Sequence, residues 1–416
     1  MNIGLLTIGT EIVIGQIINT NAAWLGSELN NIGANINEVI SIKDDIRIIK
    51  DSINNLFNNN DMIIVSGGLG PTSDDLTQQA LIQLFNSKLV FSESTYNNIQ
   101  KLFGNRGMPV SYLNREQAMV PDNCELIANN LGTAPGLVFK KDNKTLIALP
   151  GVPFEMKNMV SKFLIPYIKS NYKLNDIKQY IFIITGIAES HLAEKIYKWE
   201  EKLKNEGAEL AYLPSLGIIK LRITFNNNTN NDDLIKQYYN DLKLLIPNNL
   251  VADSDLGLEV VCGNLLRKQN ISLAIAESCT GGYISHLITS VSGSSNYYKG
   301  GLIAYSNEIK ITKLNVLAES INTFGAVSSE VAEQMALGCK KYFNSDYALS
   351  ITGIAGPTGG SELKPVGTVC IAIANQNEVI SSKFIFGDDR GRNIIRASYA
   401  ALNILRLDLL KAAKQS

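Results

Sequence analysis

Two short apolar runs in this chain, residues 61–66 and 271–275, pass without a polar linker into corners of small residues. The corners are Gly67-Gly68-Leu69-Gly70 and Ala276-Glu277-Ser278-Cys279-Thr280-Gly281-Gly282. A run of that length stopped by glycine reads as a buried strand, and the helical pattern after each corner completes a strand–turn–helix unit. Such units stack into sheets with parallel strands and helices on both faces, which puts ligand loops at the carboxyl ends of the strands. The two corners differ in chemistry. One offers a hydroxyl and a thiol beside backbone N–H groups at a helix start, which suits attack on a carbonyl or a phosphate cradle. The other continues as Pro71-Thr72-Ser73-Asp74-Asp75 and carries paired carboxylates. Two unlike sites predict two activities.

The rhythm of the first part supports the same fold class. Strand patterns at 3–8, 35–42, 61–66 and 145–149 alternate with helical ones at 21–31, 46–56 and 77–85. The 416 residues exceed what one core supports. A polar stretch at 169–178 marks one boundary, and 248–255 a second, less sharp one. The expected domains are therefore 1–168, 176–250 and 255–412. The outer two are α/β layers with mostly parallel sheets, and the middle one is a small βαββα unit. In the third part strands are expected at 272–276, 301–304, 347–351 and 367–374, and helices at 281–289, 328–341 and 394–409.

The 38 basic and 39 acidic side chains leave a formal charge of -1, with no basic tail to favour nucleic acid as a partner. Cys124, Cys262, Cys279, Cys339 and Cys370 are scattered with no CxxC pair, a pattern of reduced thiols in a cytoplasm. The start reads as a strand that meets Glu11 before a signal core could finish, and no apolar run approaches the ~18 residues of a spanning helix. A soluble, cytoplasmic protein without membrane contact is expected.

At the first corner, glycines let a ligand approach the backbone. Asp74 and Asp75 either cap the next helix or hold a divalent cation against phosphate oxygens. Glu11 would converge on the same crevice, and Asp44 or Asp45 and Glu155 would join it. The segments Ile8-Gly9-Thr10-Glu11-Ile12, Asn19-Thr20-Asn21, the corner at 66–77 and Gly151-Val152-Pro153-Phe154-Glu155-Met156 resemble the molybdopterin-binding-like domain, and more closely the N-terminal domain of the competence/damage-inducible CinA proteins. The resemblance implies an ADP-ribose pyrophosphatase releasing AMP and ribose 5-phosphate, with a divalent metal (Mg, Mn or Co) and potassium. It casts Asp74, Asp75 and Glu11 as metal or catalytic residues, with Glu155 expected to join them at the metal, and places Gly67, Gly68 and Thr72 near phosphate.

At the second corner, Ser278 and Cys279 are both candidate nucleophiles, and the thiol is the easier to activate. His286 is about 12 Å further along a helix and His191 lies in the middle domain, so a Ser-His-Asp triad is not expected. Tyr305, at a strand end, and Lys310 offer another base: a desolvated lysine deprotonates serine directly or through a phenol. The alternative is a solvated lysine beside an ordinary tyrosine.

The ordered series 276–282, Gly293-Ser294-Ser295, Tyr305-Ser306-Asn307 with Lys310, Thr352-Gly353-Ile354-Ala355-Gly356-Pro357, Lys364-Pro365-Val366-Gly367-Thr368 and Gly387-Asp388-Asp389-Arg390 resembles the CinA C-terminal domain, the nicotinamide-nucleotide amidase family. The resemblance implies hydrolysis of nicotinamide mononucleotide to nicotinate mononucleotide and ammonia, without a cofactor, and a homodimer. It selects Ser278 as nucleophile, with Tyr305 and Lys310 as its activators; the alternation of side chains leaving a strand agrees, sending Cys279 to the core. Ser295 is expected to stabilise the amide or the nucleophile. Thr280, Gly281 and Gly282 are expected to supply oxyanion or phosphate donors, Gly353 to border the ligand, and Arg392 or Arg396 to clamp the phosphate. The middle segment resembles the KH-like linker of full-length members, but lacks a GxxG loop and a basic stripe, so spacing rather than RNA binding is expected. Competing expectations are an amidase with a silent nucleotide- or pterin-binding N-terminal domain, and a non-enzymatic regulatory protein.

Overall fold

The computed structural model describes residues 1–72, 74–105, 107–174, 177–225 and 231–413. Ser73 of the first corner, and Asn175 and Asp176 of the expected linker, lie outside the described residues. The chain forms two compact units, Met1–Lys178 and a second that begins at Gln179 and takes in the rest of the described chain.

The first unit is built on a six-stranded sheet. Asn35–Ile42, Asn2–Ile8, Met62–Ser66 and Lys144–Leu149 lie side by side and parallel. Gly136–Lys141 and Glu125–Ile127 then extend it antiparallel. Every residue of Met62–Ser66 is buried, as a strand sandwiched between two apolar layers must be. Ile64 faces one core with Leu25, Leu29 and Met156, while Ile63 and Val65 face another with Ile49, Ile53 and Leu81. The chain leaves Asn2–Ile8 and Met62–Ser66 in opposite directions along the sheet, which opens a crevice at their carboxyl ends.

The second unit holds two sheets. Ala208–Ser215, Ile218–Phe225, Lys178–Thr185 and Leu250–Ala252 form a four-stranded one, so the middle segment ends in a strand that its polar surroundings hid. Buried Arg406, from the last helix, donates to the carbonyls of Leu250 (3.0 Å) and Asn248 (2.6 Å) and ties this sheet to the remainder of the unit. The other sheet runs Tyr298–Ile303, Leu273–Glu277, Tyr347–Gly353, Thr368–Ala374, Val379–Ile385. Its first three strands are parallel and its last two antiparallel. The multidomain α/β class is as expected, but both large sheets are mixed rather than mostly parallel.

Leu273–Glu277 alternates across this sheet with period two. Leu273 and Ile275 pack with Leu258, Cys262 and Leu266 of Leu258–Gln269 and with Ala401 and Leu405 of Arg390–Ala412. Ala274 and Ala276 face Val331, Met335 and Cys339 of Ser329–Phe343. Among the described residues no helix is long and apolar enough to cross a membrane.

Candidate active site

The alternation continues one step past the strand and decides which side chain of the corner is presented. Cys279 joins the core beneath Leu258–Gln269, and burial pushes its thiol up to about 12. Ser278 points the other way. Its N–H donates to the Ile351 carbonyl at 3.0 Å, so the backbone is still anchored in the sheet when the hydroxyl emerges. Lys310 meets it there. The helix Asn307–Leu314 is capped by Ser306 and turns Lys310 and Leu314 inward one helical turn apart. A close approach fixes that helix, because a Cβ on Gly338 would fall 1.8 Å from the Leu314 carbonyl oxygen.

Lys310 is 2% exposed and its Nζ donates to Ser278 Oγ at 3.0 Å, to the Ala304 carbonyl at 2.8 Å and to the Tyr305 carbonyl at 3.3 Å. Removal from water holds its amine below the usual lysine range. Tyr305 is placed differently from the expectation. It is 63% exposed, and its hydroxyl accepts from Arg390 Nη2 at 3.1 Å, with no hydrogen bond to Ser278 or Lys310. The phenol points outward because the backbone carbonyl of Tyr305 is already turned in toward the ammonium.

Glu277 organises the turn itself and was missed in the sequence, where it reads as one letter of a small-residue corner. It is 1% exposed and accepts from the N–H groups of Gly282 (3.0 Å), Ile284 (3.1 Å) and Ser285 (2.8 Å) and from Ser285 Oγ (2.6 Å). The start of Tyr283–Thr289 is thereby occupied from within, so Gly282 has no N–H left for a ligand. Gly281 N–H donates to the Ser278 carbonyl at 3.2 Å. Of the three expected donors only Thr280 has an N–H that makes no hydrogen bond among the described residues. Replacing Glu277 with alanine strands these buried donors. It should lower the unfolding free energy by on the order of 3 kcal/mol, read from urea denaturation.

Three other expected site residues, Ser295, Arg392 and Arg396, fall elsewhere, while Gly353 stays beside the corner. Ser295 lies just before Tyr298–Ile303, whose Tyr298 pairs with Leu273. It therefore stands at the amino edge of the parallel strands, whereas Ser278 leaves the carboxyl edge. Gly353 stands against the corner, since a Cβ there would sit 3.0 Å from Cys279 Sγ and 2.7 Å from Val369 Cγ2. Arg392 is exposed, its N–H bonded to the capping Asp389 at 2.7 Å, and the Arg396 guanidinium lies over Gly387. The arginine that bonds to Tyr305, whose carbonyl accepts from Lys310, is Arg390. The loop beside it is fixed by buried Asn393, which donates to the carbonyls of Ala355 (2.9 Å) and Gly387 (2.8 Å). Lys364 fastens the loop's far end by donating to the carbonyls of Phe324 and Val327.

In the first unit, Glu11, Asp74, Asp75, Glu155, Gly67 and Gly68 line one cavity of about 410 Å³ at the strand ends, together with Asn21, Asp44 and Gly151. Gly67 is required where it stands: its φ is 112° and a Cβ would meet the Ile8 carbonyl oxygen at 2.2 Å. Thr72 borders a neighbouring pocket. It donates to Asp75 through both its N–H (3.0 Å) and its hydroxyl. Glu155 accepts from buried Asn129 at 2.7 Å, and Asp44 accepts from the N–H (2.8 Å) and hydroxyl (2.9 Å) of Thr10. Asp45 caps Ile46–Asn59 instead. Among the described residues no three His, Cys, Asp or Glu side chains converge closely enough to hold a metal ion. The four expected ligands share a cavity without forming a cage.

The family model described as CinA C-terminal domain matches residues 256–409, and that of the probable molybdopterin binding domain matches residues 4–170. A CinA-like protein of Flavobacterium psychrophilum is 41% identical over 415 residues, 99% of this chain and 99% of its own. One from Cytophaga hutchinsonii is 39% identical over 411 residues, 97% of each chain. The crystal structure of competence/damage inducible protein CihA from Agrobacterium tumefaciens is 36% identical and covers 36% of this chain and 93% of its own, with a TM-score of 0.36.

Proposed function

The chain belongs to the CinA family, and from that premise we propose that its second unit hydrolyses the carboxamide of nicotinamide mononucleotide while its first unit hydrolyses ADP-ribose. The observation that carries the amidase reading is the buried Lys310 Nζ at 3.0 Å from Ser278 Oγ. Three acceptors around Nζ suit the ammonium of the resting state. Once a proton is lost, two N–H groups still serve the carbonyls of Ala304 and Tyr305, and the lone pair faces Ser278. The hydroxyl then donates to Nζ. As Oγ bonds to the carboxamide carbon, its proton passes to Lys310, which returns it to the departing nitrogen as the C–N bond breaks and ammonia leaves. Water, giving its proton to the same amine, bonds to the acyl carbon; the C–Oγ bond breaks, Lys310 returns the proton to Ser278 Oγ, and the acid leaves. The Thr280 N–H is a backbone donor available to the oxyanion. Release of ammonia and nicotinate mononucleotide by the purified full chain tests this reading, and absence of both products rejects it.

For the first unit the supporting observation is a cavity that joins the Gly67 corner to carboxylates. A magnesium-like ion takes one or two carboxylates and completes its shell with water and substrate phosphates, so these residues suit an ion that arrives with a diphosphate. Asp74 and Asp75 would hold it, and it would neutralise charge on the bridging phosphates. AMP release from ADP-ribose should require added Mg, Mn or Co, with potassium present, and fall about 100-fold or more in Asp75→Ala. Undiminished turnover after chelation would reject the metal, and undiminished turnover in the variant would reject the residue.

A further inference from the structure

Arg390 opens the helix Arg390–Ala412 and reaches across two other segments. Its Nη1 donates to the Gly356 carbonyl at 2.9 Å and its Nη2 to the Tyr305 hydroxyl at 3.1 Å. Both acceptors are uncharged, and among the described residues Arg390 forms no ion pair. Its charge acts, with that of Lys310, on the Cys279 thiol beside Ser278, where the two cations oppose the dominant effect of burial. A guanidinium without a counter-ion is thus tethered at the nucleophile corner by two neutral partners. Arg392 cannot share that direction, being about 200° further around the helix.

We propose that Arg390 is the anion receptor of the C-terminal site, binding the phosphate monoester of a nucleotide whose carboxamide lies at Ser278. Tyr305 is then a positioning residue that holds the guanidinium ready, and not a proton relay. A phosphate oxygen pair matches the planar fork and, being charged, outcompetes a phenol oxygen for it. An exposed phenol is the partner most easily displaced. The inference rests on the amidase reading above and adds to it the group that selects a phosphorylated substrate over its nucleoside.

The test compares ammonia release from nicotinamide mononucleotide and from nicotinamide riboside, which lacks the phosphate. Arg390→Ala should raise KM for the mononucleotide about 10- to 100-fold and leave kcat/KM for the riboside within about twofold. Arg390→Lys should recover part of the loss. Tyr305→Phe should raise KM for the mononucleotide by less than about tenfold, while kcat and its pH profile stay as in the parent. Equal losses on both substrates in Arg390→Ala, or a wild type indifferent to the phosphate, would overturn the receptor. Collapse of kcat in Tyr305→Phe at unchanged KM would overturn the positioning role and restore the relay. Should Arg390→Ala fail to fold in a thermal melt, Arg390→Lys carries the same comparison. A wild type inert toward both substrates brings down the amidase reading and this inference together.

Discussion

Replacement of Ser278 by alanine is expected to lower amide hydrolysis on the order of 10⁴-fold or more, whereas Cys279→Ala retains most of it. A nucleophile acting as a unit with its base leaves only binding and oxyanion stabilisation when removed, and losses of this size are usual. The comparison matters because a thiol is intrinsically the better nucleophile, and the two residues are adjacent. Direction and burial reverse that order here. Cys279 is 8% exposed within an apolar core. A thiol pushed up to about 12 carries almost no thiolate at neutral pH. Cys279→Ala should therefore act on stability, by about 1 kcal/mol for the lost sulfur, with a lower thermal midpoint and near-normal turnover. Mass spectrometry of the chain quenched during turnover should locate the acyl adduct on the peptide that holds Ser278. An active Ser278→Ala, or an inactive but folded Cys279→Ala, would sink the assignment.

The parts of this site that were readable in the sequence are those governed by short-range rules. A strand running into glycine fixes a corner, and period two then separates Ser278 from Cys279. The helix Asn307–Leu314, which turns Lys310 inward, was not among the expected helices. What could not be read depends on contacts distant in the chain. Glu277 looks like an exposed turn acid until the start of Tyr283–Thr289 folds back over it. Tyr305 follows a strand, but alternation no longer holds once the backbone has turned, so its outward direction is set by Lys310 claiming its carbonyl. Ser295 was expected at the site on the family resemblance alone, yet parallel pairing of Leu273 with Tyr298 sends it to the opposite edge.

The same distinction applies to the folds. Strands buried on both faces, such as Met62–Ser66, announce themselves by continuous apolar runs. Val379–Ile385 lies at an edge, carries Ser381, Ser382 and Lys383, and has no residue fully buried, so its antiparallel pairing left little trace in hydropathy. In the first unit, the acids at 74 and 75 were legible as a pair. Their convergence with Glu11 and Glu155 on one crevice was legible too, and the four share a cavity. The spacing within it was not, because it depends on how far apart three strand ends lie, and among the described residues no three acids come close enough to hold a metal.

Lys310 provides the sharpest test of how the hydroxyl is activated. If the amine is the base, only its neutral form works, and below its pKa the active fraction falls tenfold per pH unit. Desolvation shifts that pKa downward from the ordinary lysine value, so kcat/KM should climb with pH and level off earlier than an exposed lysine would allow. Lys310→Met should lose about 10²- to 10⁴-fold and flatten that limb. The decisive variant is Lys310→Arg. It keeps the positive charge beside Ser278 but cannot give up a proton at any accessible pH. A lysine that merely stabilises negative charge would tolerate the exchange, at least in part. A lysine that accepts the serine proton would not, and Lys310→Arg should be as inactive as Lys310→Met. The geometry favours the second outcome: with two of its donors fixed on the carbonyls of Ala304 and Tyr305, the third direction at Nζ is aimed at Ser278 Oγ. An active arginine variant, or a kcat/KM that ignores pH between about 7 and 10, would show that the proton leaves Ser278 by another path.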